Sequence, residues 1–367
     1  MKHWAETRQV FEWIATLAAE QRRAALATVV SVQGSAYRRE GARMAVAEDG
    51  ASVGNVSGGC LEGDVREVAL QVIATGVPQL RRYCSGADQV SAWDLGVGCE
   101  GEVKVYVEPA VTISMVESAL LAGTEPFAIC REVLVGTNAP TWRRLVVTSA
   151  GRDGTLGTVP LDAVTADCAA TLLQANSPSA LIDIDGHSIF VETFYPPPQL
   201  VILSAGNDAR PLARMGVDVG FRVVVVDRRA ALLTADRFPD DAVLIECDTA
   251  LLTRRVHLDG NSYAVVMNHN FADDEQHLRA LVGTPVPYIG MLGPRQRTER
   301  IVRNVSADVP FDIDRVYGPV GLDVGTDGAE QVALAIIAEI LTVRGGRQPA
   351  SLRQREAAIH LTTGPEA

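Results

Sequence analysis

Two neighbouring segments hold the residues best suited to chemistry: Gly34-Ser-Ala-Tyr-Arg-Arg-Glu-Gly-Ala-Arg-Met44 and Gly54-Asn-Val-Ser-Gly-Gly-Cys-Leu-Glu-Gly-Asp64. Together they describe an anion site with a thiol beside it. Arg38, Arg39 and Arg43 can fork onto phosphate. Downstream, Ser57-Gly58-Gly59 precedes a stretch from Leu61 to Ala74 in which Leu61, Val65, Val68, Ala69, Val72 and Ile73 recur at helical spacing. That pattern predicts Cys60 in the first turn of a helix. There, unpaired backbone N–H groups and the helix dipole favour negative charge, so the thiol is expected to have a depressed pKa. Ser57 can cap, and the two glycines let backbone approach a ligand closely. The competing reading is a structural strand-to-helix turn in which Cys60 is a small buried hydrophobe.

A second cysteine stands in a glycine-dense turn, Trp93-Asp-Leu-Gly-Val-Gly-Cys-Glu-Gly101, which places Gly98 and Cys99 on approachable backbone. If Cys60 and Cys99 face one cleft, two thiols flank one anion site. Spacing alone leaves that open.

Candidates of a different kind follow Leu200. Leu200-Val-Ile-Leu203, a glycine turn with a helix behind it, and Arg222-Val-Val-Val-Val-Asp227 read as a βαβ unit with an acid closing its second strand. Ser204, Gly206 and Ala209 approximate the G-x-G-x-x-G/A dinucleotide fingerprint without its first glycine, and Asp227 lies 21 residues after Gly206, where a ribose-binding carboxylate is expected. Ligands of such sheets bind at the carboxyl ends of the strands. Gly206, Asn207, Asp227, His269 in Asn268-His-Asn270, and Gly293 with Arg295 in Met291-Leu-Gly-Pro-Arg295 all fall there. Asp227 also suits a plain strand end, His269 a loop histidine, and Asp323 a helix cap.

The elements that must position these residues divide at Pro196-Pro197-Pro198, which can continue neither a helix nor a central strand. Before it, strands are expected at 26–32, 44–47 and 103–107. A helix near 113–122 and further strands at 127–135, 145–148 and 189–193 follow, with hairpin turns at Asp153-Gly154 and Asp185-Gly186. After it, strands at 200–203, 222–227, 242–247, 263–267 and 286–290 and a closing helix at 329–343 predict a Rossmann-like doubly wound parallel sheet. The expected organisation is an N-terminal α+β domain over 1–110, its continuation or a small β-rich connecting unit over 111–195, the Rossmann-like domain over 196–350 and a flexible tail over 351–367. The fold class is therefore α/β.

Composition narrows the function. The chain has 367 residues, 47% of them hydrophobic, enough for two cores. Its net charge of −12 opposes nucleic acid or an anionic membrane as main partner. Met1 to Gln21 reads as an amphipathic packing helix rather than a signal peptide, so a cytoplasmic protein is expected. The six cysteines show no C-x-x-C spacing and are expected to be reduced thiols.

Taken together, Gly34-Ser35, Gly41-Ala-Arg-Met44, Ser57-Gly-Gly-Cys-Leu-Glu62, Asp94-Leu-Gly-Val-Gly-Cys99, the proline run, Tyr288-Ile-Gly-Met-Leu-Gly293 and Gly318-Pro-Val-Gly-Leu-Asp-Val-Gly325 closely resemble the XdhC/CoxI family over nearly the whole chain. The resemblance implies a maturation factor for molybdenum hydroxylases. Such a factor binds molybdenum cofactor, as molybdopterin or its cytosine dinucleotide form, and supports its sulfuration with a cysteine desulfurase. It then inserts the cofactor into a xanthine dehydrogenase-like apoenzyme. By analogy a homodimer is expected. Carried onto this sequence, Cys60 and Cys99 become the sulfur-handling candidates, with Cys60 the candidate molybdenum ligand. Gly34, Ser35, Arg38, Arg43, Ser57, Gly58, Gly59, Glu62 and Gly98 join them as cofactor-binding candidates. The family's second-domain turn commonly reads Gly-x-Gly followed by His, and a Thr-His-Asp-like stretch follows later. This chain has Ser204-Ala-Gly-Asn207 and Asn268-His-Asn270 instead, which puts nucleotide binding there in question. Two other functions fit the sequence: an NAD(P)-dependent oxidoreductase using Gly206 and Asp227, and a noncatalytic docking scaffold for a molybdenum hydroxylase.

Overall fold

The computed structural model describes residues 4–34, 36–84, 101–134 and 143–354. The chain forms two compact units that divide between Pro196 and Pro197, inside the proline run. In the first unit, α1 (Trp4–Ala19) leads into β1 (Ala24–Gly34), β2 (Arg43–Ala47), β3 (Ser52–Gly54), α2 (Glu62–Thr75), β4 (Gln79–Cys84) and β5 (Gly101–Pro109). A second set follows: α3 (Met115–Ala122), β6 (Phe127–Glu132), β7 (Leu145–Thr148), β8 (Gly151–Gly154), α4 (Val159–Gln174), β9 (Ala180–Ile184) and β10 (His187–Phe194). The two sets make two antiparallel sheets, ordered β3-β2-β1-β5-β4 and β8-β7-β6-β10-β9.

The period-two alternation of the strands builds four layers from these sheets. Ala25, Ala27 and Val29 of β1, Met44 and Val46 of β2 and Val105 and Val107 of β5 pack under α2. On the other sheet, Ala128, Cys130, Leu145, Val147, Ile189 and Val191 pack under α4. The opposite faces meet in the middle, where Leu26 and Ala45 join Phe127, Ile129, Val146 and Phe194, with Val10, Phe11 and Ile14 of α1 beside them. Phe127 and Phe194 stack with ring centres 4.7 Å apart.

Charge is also buried in that middle layer. Arg43 and Glu192 form an ion pair with side chains 1% and 2% exposed. Arg131 donates to Glu108 at 2.9 Å and lies 3.6 Å from Glu192. Paired charges can occupy such a layer because each desolvated group meets an opposite one.

The second unit carries β11 (Gln199–Leu203), α5 (Ala209–Asp218), β12 (Arg222–Asp227), β13 (Val243–Glu246), α6 (Leu252–Arg255), β14 (Ser262–Val266), α7 (Phe271–Val282), β15 (Tyr288–Met291), α8 (Arg295–Asp308), β16 (Val316–Tyr317) and α9 (Ala329–Arg344). Its six strands run parallel in the order β13-β12-β11-β14-β15-β16. This is the doubly wound order with a switch point between β11 and β14. Helices α5 and α9 cover one face, and α6, α7 and α8 the other.

Three local expectations need correction. The turn joining β7 to β8 lies at Ser149-Ala150, not at Asp153-Gly154, which belongs to β8 itself. Thr148 closes that turn by accepting from the Ala150 N–H at 3.2 Å. Helix α4 and strand β9 occupy a stretch without an expected element. Cys60 lies before α2 rather than in its first turn: the first helical residue is Glu62 and the N-cap position is Leu61. The Asp185-Gly186 turn is where expected, with both residues at positive φ, as a tight hairpin requires.

Candidate functional site

The segment 54–62 leaves β3 and enters α2, and its geometry is set by Ser57 and Glu62. One Glu62 carboxylate oxygen accepts the N–H groups of Val56 and Ser57 at 3.2 and 2.8 Å, and the other accepts the Ser57 hydroxyl at 2.6 Å. With its proton committed to Glu62, Ser57 Oγ accepts from the N–H groups of Gly59 and Leu61, both at 3.1 Å, and from the Cys60 thiol at 3.4 Å. Burial pushes the Glu62 carboxyl up, but the bonds from Ser57 and Val56 outweigh it and hold it below its ordinary value of 4.5.

The depressed Glu62 value carries a stability consequence. Its contribution is fully present above the ordinary carboxylate range and is lost as pH falls through the lower folded value. Denaturant unfolding of the parent is therefore expected to weaken with acid in that range. Glu62→Gln should flatten this part of the profile, and an unchanged profile would count against the bracing role.

Within this braced loop, Gly58 and Gly59 are exposed and Cys60 is half-buried. The backbone N–H groups of Gly58 and Cys60 have no partner among the described residues. The Tyr37 ring, from the upstream segment, lies against Gly58: a Cβ built there would sit 3.5 Å from it. Gly54 is fixed for another reason. It has a φ of +81°, and a side chain there would collide with the Arg43 carbonyl. The first turn of α2 already carries two carboxylates of its own, Glu62 and Asp64, the latter accepting from the Tyr83 hydroxyl at 2.5 Å.

The arginines are placed differently from the sequence expectation. Arg43 points into the layer between the sheets, over the Phe11 ring at 4.7 Å and onto Glu192, where no phosphate can reach it. Arg38 donates to Glu6 at 2.7 Å with its side chain 16% exposed. Gly34 ends β1 at a φ of +79°. Ser35, Gly98 and Cys99 lie outside the described residues.

In the second unit, four residues expected at the switch point, Gly206, Asn207, Asp227 and His269, each bond a neighbouring group of the protein. Asp227 is buried, and its carboxylate accepts from the Ala205 N–H at 2.7 Å, the Arg229 N–H at 2.8 Å and the Arg229 guanidinium at 3.0 and 2.8 Å. These bonds hold its pKa down against the opposing effect of burial. The Gly206 N–H donates to Ser204 Oγ at 3.1 Å, and the Asn207 side chain accepts from Arg237 at 3.2 Å. His269 contacts Asp208 at 3.0 Å, which puts a carboxylate before α5, where a pyrophosphate would need positive charge. A dinucleotide would have to displace these contacts, because the Asp227 carboxylate is bonded to Ala205 and Arg229 and the Gly206 N–H to Ser204 Oγ. Gly293, with a φ of +136°, packs beside Arg297, and Arg295 opens α8 exposed to solvent.

Sequence reasoning missed a buried cluster behind this edge. Asp274, 1% exposed, accepts from Asn268 at 3.2 Å and from Arg297 at 2.5 Å. His277 bonds Asn268 and Thr249 at 3.0 and 3.1 Å, and burial lowers its pKa to about 4. Both residues lie in α7, where Asp274, His277, Leu278 and Leu281 share one buried face; only the spacing to Leu278 and Leu281 hinted at it. Among the described residues, no group of three or more His, Cys, Asp or Glu is placed to hold a metal ion, and no helix is long and apolar enough to cross a membrane.

Comparison with known proteins adds lineage to this geometry. Residues 17–84 match the XdhC and CoxI family model, and residues 200–340 match the model for the XdhC Rossmann domain. The chain belongs to the XdhC and CoxI family. A Bacillus subtilis relative, described as a probable subunit of xanthine dehydrogenase, is 31% identical over 89% of this chain and 94% of its own length. An Escherichia coli relative, the molybdenum cofactor insertion chaperone PaoD, is 35% identical over 28% of this chain and 34% of its own length. Among solved structures, a Bacillus halodurans protein described as a xanthine dehydrogenase has a TM-score of 0.73 at 29% identity, covering 93% of this chain and 97% of that one. The loop at 54–62 lies within the matched first segment, and the saturated Asp227 within the second.

Proposed function

We propose that this XdhC/CoxI-family chain is an accessory protein that carries molybdenum cofactor as cargo, holding it at the 54–62 loop. In this reading it keeps the cofactor accessible for sulfuration with a cysteine desulfurase and inserts it into a xanthine dehydrogenase-type apoenzyme. The observation that carries the reading is the half-buried Cys60 thiol beside the N–H groups of Gly58 and Cys60, which have no partner among the described residues. Amide donors suit a phosphate, and a cysteine thiolate suits the soft dithiolene and oxidised metal at the other end of the same molecule. Arg38 and Arg43, expected as phosphate ligands, stand aside in ion pairs, whereas Arg39 forms none among the described residues. Ser57 and Glu62 hold the loop in register, so little ordering cost remains when cargo binds.

The named function of PaoD, a relative over part of the chain, supports the same reading. The oxidoreductase alternative loses support because Asp227 and Gly206 are already bonded within the protein. The protein is proposed to work in the cytoplasm as a homodimer.

Transfer tests the proposal. Protein purified from a host that makes the cofactor should restore activity to a cofactor-free molybdenum hydroxylase, whereas protein from a cofactor-deficient host should not. Equal failure of both preparations, with a hydroxylase that free cofactor does activate, would overturn it.

A further inference from the structure

The groove between α7 and α8 presents a second and separate set of ligand-type groups. It is an open surface groove of about 470 Å³, lined by Phe271, Gln296, Arg297, Glu299, Arg300 and Arg303. It opens near the carboxyl edge of the parallel sheet, since α7 follows β14 and α8 follows β15. Arg297 is anchored from behind by buried Asp274 at 2.5 Å. Arg300 lies over the Phe271 ring at 5.1 Å. A guanidinium over a ring face keeps its N–H groups available for an incoming oxyanion. Arg300 and Arg303 form no ion pair among the described residues, although the chain as a whole carries a net charge of −12. Glu299 is the one carboxylate in the lining and can only accept hydrogen bonds while ionised.

We propose that this groove binds a nucleoside diphosphate. Arg300 and Arg303 take the diphosphate, the Phe271–Arg300 stack extends over the base, and Glu299 accepts from a ribose hydroxyl. Bare pyrophosphate satisfies only the arginines and meets Glu299 as a repelling charge, so the complete nucleotide is the better ligand. The site is distinct from the saturated Asp227 crevice and does not depend on the cofactor-carrier reading.

Calorimetric titration of the full-length protein with ADP, and separately with inorganic pyrophosphate, tests the assignment. ADP is expected to bind at least about tenfold more tightly than pyrophosphate, because only ADP adds a base that can stack. Arg300→Gln combined with Arg303→Gln should weaken ADP at least about tenfold, with the thermal midpoint held near the parent's because both side chains are exposed. Phe271→Leu should weaken ADP by a larger factor than it weakens pyrophosphate. No ADP binding to the parent at millimolar concentration, or unchanged ADP affinity in the double variant, would overturn the proposal. So would a glutamate-rich peptide that binds this face when ADP does not, which would mark a surface for acidic proteins.

Discussion

Arg43→Ala is expected to destabilise the first unit by about 3–5 kcal/mol, because it removes the guanidinium that pairs with the buried carboxylate of Glu192. The unfolding midpoint should fall by roughly 10 °C. Both groups of the pair lie between the two sheets, so truncation also removes the guanidinium from between the Phe11 and Phe194 rings. Arg43→Met together with Glu192→Leu should recover much of the loss, since an apolar pair of similar volume carries no desolvation cost. Thermal unfolding of the three variants checks this. If Arg43→Ala instead kept its midpoint and lost only an anionic ligand, the buried-pair account would be wrong and Arg43 would belong to the binding loop after all.

Cys60→Ala should do the opposite. The thiol sits at the margin of the core beneath α2, so the expected change in stability is within about 1 kcal/mol. Cofactor retention should fall by at least about tenfold, equal to about 1.4 kcal/mol of binding. Cys60→Ser gives a sharper comparison, because a hydroxyl can still donate to Ser57 but does not ionise as a thiol does and so is a poor metal ligand. Retention in the serine variant should therefore resemble that of the alanine variant. Parent-like retention in both would leave Cys60 as a packing residue.

Much of the fold was legible because its signals are local. The runs at 200–203 and 222–227 are continuous apolar stretches with a glycine turn and helix between them, which a buried parallel strand requires. Helix α4 was missed because its apolar residues are diluted by Ala, Thr and Asp, although Thr158 as N-cap and Pro160 in the first turn were signals of its start. Strand β8 is exposed along its whole length, so it carries no alternating pattern and its Asp153-Gly154 mimics a turn.

The candidate site divides along the same line. Ser57, Glu62 and Cys60 are close in sequence, and their grouping survives in the structure. Arg43 could not be placed from sequence, because the carboxylate that draws it inward lies 149 residues away. Asp227 has the spacing of a ribose ligand, and its saturation depends on Arg229, two residues on, folding back over it. A spacing rule reports where an acid stands and says nothing of which donor reaches it first.

Cargo content tests the central claim most directly. The chain should be purified in parallel from a host that synthesises molybdopterin and from one that cannot, and the pterin released by acid oxidation measured by fluorescence. Pterin in near-equal ratio to the protein from the first host, only background from the second, and a marked fall on Cys60→Ala is the expected result. Background from both hosts, or equal pterin with and without Cys60, would contradict it.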